Sequence, residues 1–157
     1  MRDNASAAVS APSPWVQRFL PLVPSGGAIL DVACGAGRHL ALGHARGYRM
    51  TGVDRDLSRL PDAVRSAGID LIEVDLEDGR PWPLADRRFE GVIVTNYLWR
   101  PILSDIVGAV AAGGVLIYET FALGNECFGR PKNPDFLLRP HELIDAVRPA
   151  LTVIAYE

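Results

Sequence analysis

Short apolar runs rich in Val, Ile and Leu recur along the chain. Six of them predict β-strands, at residues 28–33, 50–53, 69–74, 89–95, 115–118 and 151–156. Their apolarity is continuous rather than alternating, which is typical of strands buried on both faces of a parallel sheet. Polar landmarks end or follow the first five runs: Asp31, Asp54, Asp75, Asn96 and Glu119. Successive landmarks are 23, 21, 21 and 23 residues apart, which leaves room for a crossover connection between parallel strands.

Helical segments fit between these runs, at residues 14–20, 37–45, 57–67, 101–112 and 140–147. Ser13 and Pro14 form a good cap and first-turn pair for the first helix, whereas Pro61 interrupts the third or begins it anew. Alternation of strands and helices on this scale predicts an α/β fold, a doubly wound parallel sheet with right-handed crossovers. Residues 77–87 and 121–139 are expected to be loops, and the second is long enough to suggest a function.

The turn after the first predicted strand is the most informative stretch of the chain. Residues 31–37 read Asp-Val-Ala-Cys-Gly-Ala-Gly, an apolar strand that runs into a Gly-x-Gly turn before a helix. Glycine at positions 35 and 37 lets the backbone turn tightly and lets a ligand approach the main chain. The first N–H groups of the following helix are free to bind a carboxylate or a phosphate. Many mononucleotide sites share such a turn.

Two features narrow the class of ligand. The turn continues as Gly-x-Gly-x-x-Leu, so the third glycine of the dinucleotide fingerprint is missing, and Asp31 would repel a pyrophosphate but suits a cationic ammonium. Asp54, 19 residues after Gly35, can accept hydrogen bonds from both ribose hydroxyls. A ligand with a ribose, an ammonium and a carboxylate but no phosphate is S-adenosylmethionine. The structural alternatives are loop capping by Asp31 and helix capping by Asp54.

At these positions the chain resembles a known family. Its Asp-x-Ala-x-Gly-x-Gly segment is similar to motif I of the class I S-adenosylmethionine-dependent methyltransferases, and further motifs of that family are matched at residues 52–54, 74–77, 89–97 and 112–118. The resemblance covers residues 13–157 and looks closest to small bacterial methyltransferases of the tellurite-resistance type. Ala33 departs from the pattern, since many members carry glycine there. Alanine holds most strand-end conformations, so we expect this departure to have no consequence.

The resemblance implies a cofactor site for S-adenosylmethionine. The implied residues are Asp31, Ala33, Gly35, Gly37, Asp54, Arg55, Asp75, Leu76, Asn96 and Tyr97. Asp75 would accept a hydrogen bond from the adenine amino group while the Leu76 N–H reaches a ring nitrogen; a plain turn is the alternative. Tyr97 and Trp99 follow the fourth strand at the topological switch point, where an aromatic face attracts the sulfonium, or else they pack in the core.

The acceptor side of the site is defined less sharply. The polar stretch 124–138 suits a lid over a small-molecule acceptor or a plain surface loop. Arg100 either binds an anionic acceptor or is the exposed start of a helix. Methyl transfer by direct displacement needs no base when the acceptor arrives deprotonated. We therefore assign no catalytic residue, and Glu119, Tyr97 and His141 are the candidate bases.

Composition limits the classes of partner and compartment. The 157 residues carry a net charge of −3, and the absence of a basic surplus argues against a nucleic-acid or membrane partner. Cys34 and Cys127 lack metal-ligand spacing and predict neither a zinc site nor a disulfide framework, which fits a cytoplasmic protein. No apolar run reaches the ~18 residues of a membrane span. Residues 1–12 are expected to be a disordered leader.

The C-terminal end of the predicted sheet leaves two arrangements and two other functions open. The resemblance implies the strand order 3-2-1-4-5-7-6, but no residues remain for a seventh strand after 151–156. We therefore expect a truncated domain over 13–157, in which 115–118 is a sheet edge or pairs directly with 151–156. The short sheet suggests a non-catalytic S-adenosylmethionine-binding scaffold as one alternative. A nicotinamide oxidoreductase is the other, disfavoured by Asp31 and the missing third glycine.

Overall fold

Five parallel strands form one sheet in the computed structural model, which describes residues 10–157. They are β1 (Ala28–Val32), β2 (Arg49–Asp54), β3 (Asp70–Glu73), β4 (Phe89–Thr95) and β5 (Val110–Glu119). Their order, β3-β2-β1-β4-β5, confirms the predicted doubly wound arrangement. The expected disordered leader falls largely on residues 1–9, which lie outside the described residues.

Short helices connect or flank these strands. They are α1 (Pro14–Phe19), α2 (Arg38–Ala45), α3 (Asp62–Arg65), α4 (Leu103–Gly108) and α5 (Glu142–Val147). Ser13 caps α1 as predicted, since its hydroxyl oxygen accepts a hydrogen bond from the Val16 N–H at 3.3 Å. The predicted helix 57–67 is divided at Pro61, before α3, because proline cannot continue the backbone ladder. Across residues 10–157, each helix is too short or too polar to cross a bilayer.

Apolar side chains cover both faces of the sheet. One face packs against α1, α2 and α3 through a core that includes Leu20, Leu40 and Val64. The other face packs against α4 and the segment before β4, through Ile106 and Leu84. Because the central strands are buried from both sides, their sequences are almost continuously apolar. This burial leaves polar residues to collect at the ends of the strands.

The C-terminal part of the sheet departs from the prediction. Residues 151–156 form no strand and are largely exposed, so the predicted sixth strand is wrong. The fifth strand begins earlier than predicted, because α4 ends at Gly108 and Val110 already pairs with Phe89, before a bulge. Within the described residues β5 is therefore the edge of the sheet, which is the first of the two expected arrangements.

Among residues 10–157 no strand pairs with the outer side of β5, a strand of ten residues, and this side offers a template for pairing with a second chain. We expect concentration-dependent self-association, measured by size-exclusion chromatography with light scattering. Ala112→Lys places a charge at an exposed position of β5 and should weaken association, whereas Ala63→Lys, exposed on α3, should not. A chain that stays monomeric at all concentrations, or equal behaviour of the two variants, would contradict this expectation.

Candidate active site

The carboxyl edge of the sheet gathers the polar landmarks into one place. Asp31 lies near the end of β1, Asp54 ends β2, Asn96 follows β4 and Glu119 ends β5. The Asn96 N–H donates to the Glu119 carbonyl at 2.9 Å, which joins the ends of β4 and β5. The strand order reverses between β1 and β4, and open α/β sheets bind ligands in the crevice at such a point.

The two glycines of the turn between β1 and α2 have different structural roles. Gly35 has a φ of +54°, and a Cβ there would meet nothing within 4 Å, so its backbone faces open space. Gly37 has a φ of +77°, but a Cβ there would lie 2.7 Å from Leu60 and 3.4 Å from Val64. A ligand can therefore approach the main chain at Gly35, whereas Gly37 lets the turn pack against the segment after β2.

Ala33 carries backbone strain, so the expectation that alanine is harmless there is wrong. Its φ of +54° lies in the left-handed region, where a Cβ costs about 1–2 kcal/mol. Hydrogen bonds of the residues that follow Ala33 hold the turn: the Cys34 N–H donates to the Val53 carbonyl at 3.0 Å, and the Gly37 N–H to the Cys34 carbonyl at 2.9 Å. The surrounding structure thus imposes on alanine a conformation that glycine adopts freely.

Asp54 braces the glycine turn from the neighbouring strand. Its Oδ2 accepts a hydrogen bond from the Gly35 N–H at 2.8 Å, and its Oδ1 accepts one from the Asp56 N–H at 3.0 Å. Capping of the following 3-10 turn falls to Asp56, whose carboxylate accepts from the Ser58 N–H. Asp54 therefore ties the ends of β1 and β2 together beside the open backbone of Gly35. Each of its oxygens keeps a lone pair for a further donor.

Asp31 is buried without a compensating partner. The residue is only 1% exposed, and its Oδ2 has no hydrogen-bond partner. Burial raises the pKa of Asp31 to about 8; the Arg38 guanidinium opposes this rise, and the Asp54 carboxylate adds to it. An ammonium group placed against Oδ2 would supply both the missing donor and a balancing charge.

A polar network holds the start of α1 at the carboxyl edge of the sheet, and the sequence analysis did not predict it. The Ser13 N–H donates to His39 Nε2 at 3.1 Å, and the Ser13 hydroxyl donates to the Glu119 carboxylate. Burial lowers the pKa of His39 to about 4, and the Arg38 guanidinium adds to this effect, so a neutral imidazole accepts at Nε2. The cap signal at Ser13 is readable from sequence, but no local pattern points to partners 26 and 106 residues away.

The turn after β3 fits both the functional and the structural interpretation. The Asp75 Oδ1 accepts a hydrogen bond from the Glu77 N–H at 2.9 Å, which closes a local turn. Leu76 is partly buried against the core, while Asp75 and Arg55 are exposed. The roles of these residues toward adenine and ribose stay predictions.

A cavity of about 240 Å³ opens between the end of β4 and the loop after β5. It is lined by Glu77, Asn96, Tyr97, Leu98, Thr120, Phe121, Pro131 and Phe136. The Tyr97 hydroxyl is buried and has no hydrogen-bond partner, and burial, together with the Glu77 carboxylate, raises its pKa above the usual range. Tyr97 and Trp99 both pack partly against the core, but Trp99 does not line the cavity. Of the two aromatic residues after β4, Tyr97 is therefore the one that reaches the cavity.

Arg100 holds the loop that covers this cavity. Its guanidinium pairs with Glu142 at 2.5 Å and donates to the carbonyls of Asp135 at 2.6 Å and Leu137 at 2.9 Å. Neither sequence-based interpretation of Arg100, an anion-binding residue or an exposed helix start, describes this role. Through these contacts, here termed the Arg100 clamp, the end of β4 is joined to the loop after β5 and to α5. His141, one of the candidate bases, is exposed at the start of α5 and does not line the cavity.

Comparison with known proteins agrees with this architecture. A family model described as "Methyltransferase domain" matches residues 29–114. A TehB-like SAM-dependent methyltransferase from Corynebacterium glutamicum is similar in structure, with a TM-score of 0.62 and 18% identity over 86% of this chain and 70% of that one. A SAM-dependent methyltransferase from Archaeoglobus fulgidus gives a TM-score of 0.63 and 17% identity over 85% and 64%. No curated protein matches the chain.

A third solved structure carries ligands. Coclaurine N-methyltransferase bound to N-methylheliamine and SAH has a TM-score of 0.55 and 16% identity, over 69% of this chain and 34% of that one. At such identities the likeness shows a shared fold. This chain spans less than two thirds of that protein and of the archaeal one.

Two alanine substitutions separate the roles of the glycines. We expect Gly35→Ala to cost about 1–2 kcal/mol of stability from its positive φ alone and to impair binding of S-adenosylmethionine, because its Cβ enters the open space. Gly37→Ala should cost a further ~1–3 kcal/mol, because its Cβ collides with Leu60. Denaturant unfolding gives the stabilities and titration calorimetry gives the affinities. Equal losses of stability would contradict the assignment.

Proposed function

The chain belongs to the class I S-adenosylmethionine-dependent methyltransferases, and on that basis we propose that it transfers the methyl group of this cofactor to a small-molecule acceptor by direct displacement. The cofactor binds along the carboxyl ends of β1, β2 and β4. The acceptor enters the cavity beside Asn96 and Tyr97.

One observation carries this proposal: the unpartnered Oδ2 of the buried Asp31. Leaving a carboxyl group in such a place costs free energy unless a ligand completes it. The ammonium of S-adenosylmethionine has the charge and the donors that this oxygen lacks. The open backbone at Gly35 gives the ligand its approach, and the remaining lone pairs of Asp54 suit the ribose hydroxyls. The residues present therefore fit the cofactor.

The chain's own contribution to the chemistry is positioning and exclusion of water. Bound S-adenosylmethionine supplies a methyl group on a positively charged sulfur. Aligning the two reactants can supply about 7–11 kcal/mol of the barrier, and the loop clamped by Arg100 covers the cavity where the acceptor would lie.

None of the three candidate bases is arranged to take a proton from the acceptor. The Glu119 carboxylate already accepts from Ser13, and His141 lies outside the cavity lining. The pKa of the Tyr97 hydroxyl is raised, so this group stays protonated at neutral pH. We therefore propose a displacement without general-base catalysis by these groups.

Titration calorimetry tests the proposal directly. S-adenosylmethionine and its demethylated product should bind, whereas NAD should not. Asp54→Ala should weaken binding about a hundredfold, or about 3 kcal/mol, because two charge-assisted hydrogen bonds to ribose are lost. Asp86→Ala removes an exposed carboxylate that precedes β4, at the opposite end of the sheet, and serves as the matched control. Tight binding of NAD without binding of either sulfur compound would overturn the proposed cofactor. A loss of affinity below threefold in folded Asp54→Ala would overturn the proposed contacts of Asp54 with ribose.

Asp31→Asn should affect the stability of the fold and the binding of the ligand in different ways. The pKa of Asp31 is raised from 3.8 to about 8 in the folded protein, so its charged form costs folding free energy that grows as pH rises between these values. We expect the variant's Tm, relative to wild type, to increase from pH 5 to pH 8. S-adenosylhomocysteine should raise the Tm of the wild type but not that of the variant. Differential scanning fluorimetry measures both effects. A difference in Tm between the variant and the wild type that is the same at pH 5 and pH 8 would contradict the raised pKa of Asp31.

A further inference from the structure

The lining of the cavity beside Tyr97 has a definite chemical character. Aromatic rings are contributed by Tyr97, Phe121 and Phe136, and the one ionisable carboxyl group is that of Glu77. None of the eight lining residues, all within the described part of the chain, is Lys, Arg or His. On the loop after β5, the cationic residues nearest to Pro131 in sequence are Arg130 and Lys132. Both are exposed, and neither lines the cavity.

Such a lining discriminates between acceptor classes by charge. An anionic acceptor, such as a carboxylate, a thiolate or an oxyanion, would meet no balancing cation among the lining side chains and would face the Glu77 carboxylate. A cationic or cation-forming group is attracted both by that carboxylate and by the faces of the aromatic rings. The same rings and Leu98 favour an apolar, ring-bearing body, since aromatic pairs stabilise each other beyond the area they bury.

We propose that the acceptor is a small primary or secondary amine with an aromatic body, which places its nitrogen toward Asn96 and Glu77. This inference rests on the proposed function and adds to it the class of acceptor.

The proposed transfer balances in charge and protons. The ammonium form of the acceptor first releases one proton to bulk solvent, before the neutral amine is enclosed beside the cofactor. The nitrogen lone pair then forms the N–CH₃ bond while the S–CH₃ bond breaks, and that electron pair stays on sulfur as a neutral thioether. The positive charge moves from sulfur to the methylated nitrogen. The Glu77 carboxylate and the ring faces stabilise this charge as it develops.

Three probes of one shape test the proposed class. They are 2-phenylethylamine, 3-phenylpropionate and 2-phenylethanol, titrated into the full chain saturated with S-adenosylhomocysteine. The amine should bind at least tenfold more tightly than the other two compounds. In a parallel reaction with labelled S-adenosylmethionine, mass spectrometry should find the label on the amine alone. Binding of the carboxylate as tight as that of the amine, or label on the alcohol only, would overturn the proposal.

A matched pair of variants connects the selectivity to the cavity. Glu77→Gln should weaken amine binding about tenfold and leave alcohol binding unchanged, while the affinity for S-adenosylhomocysteine stays within twofold of wild type. Asp86→Asn removes the same charge at an exposed position outside the cavity and should change none of these affinities. Unchanged amine binding in Glu77→Gln, with cofactor binding intact, would refute the amine inference alone. Failure of the wild type to bind S-adenosylhomocysteine would refute the proposed function and this inference with it.

Discussion

The carboxyl group of Asp31, buried near the end of the central strand, is the constraint on which the rest of the site depends. In register it lies between Gly52 of β2 and Ile93 of β4, where solvent does not reach it. The neighbouring Asp54 carboxylate has two backbone N–H donors, whereas the Asp31 Oδ2 has none. Two acidic side chains of one edge thus lie in different environments: the fold supplies hydrogen-bond donors to Asp54 and none to the Asp31 Oδ2.

The two halves of the site are held by different forces. On the cofactor side, backbone hydrogen bonds and buried apolar strands fix the turn between β1 and α2, firmly enough to keep Ala33 at a strained φ. On the proposed acceptor side, the loop after β5 is held through the Arg100 side chain and its partners at Glu142 and Leu137. Such polar contacts near the surface contribute less stability than core packing, so the acceptor side is expected to open more readily.

The sequence was sufficient for those features that arise locally. Apolar runs identified all five strands, and β1, β2 and β4 are the ones buried on both faces, where there is no room for alternation. Residue spacing placed Asp31, Asp54 and Asn96 on one edge. The segment 151–156 has the same apolar character but forms no strand, since pairing depends on a neighbouring strand as well as on composition. The contacts of Ser13 with His39 and Glu119, and the clamp at Arg100, join residues far apart in sequence and have no local signature.

The position of the clamp has a consequence for specificity. Arg100 stands three residues after Tyr97, so the segment that forms one wall of the cavity also holds the loop that forms the opposite wall. Substitutions at Phe121 or Phe136 reshape the cavity without touching the strands, because neither residue belongs to the buried cores on the two faces of the sheet. If the cavity holds the acceptor as proposed, its class can therefore change at little cost to folding, whereas changes at the edge proposed for the cofactor disturb the turn that Asp54 and the two glycines build.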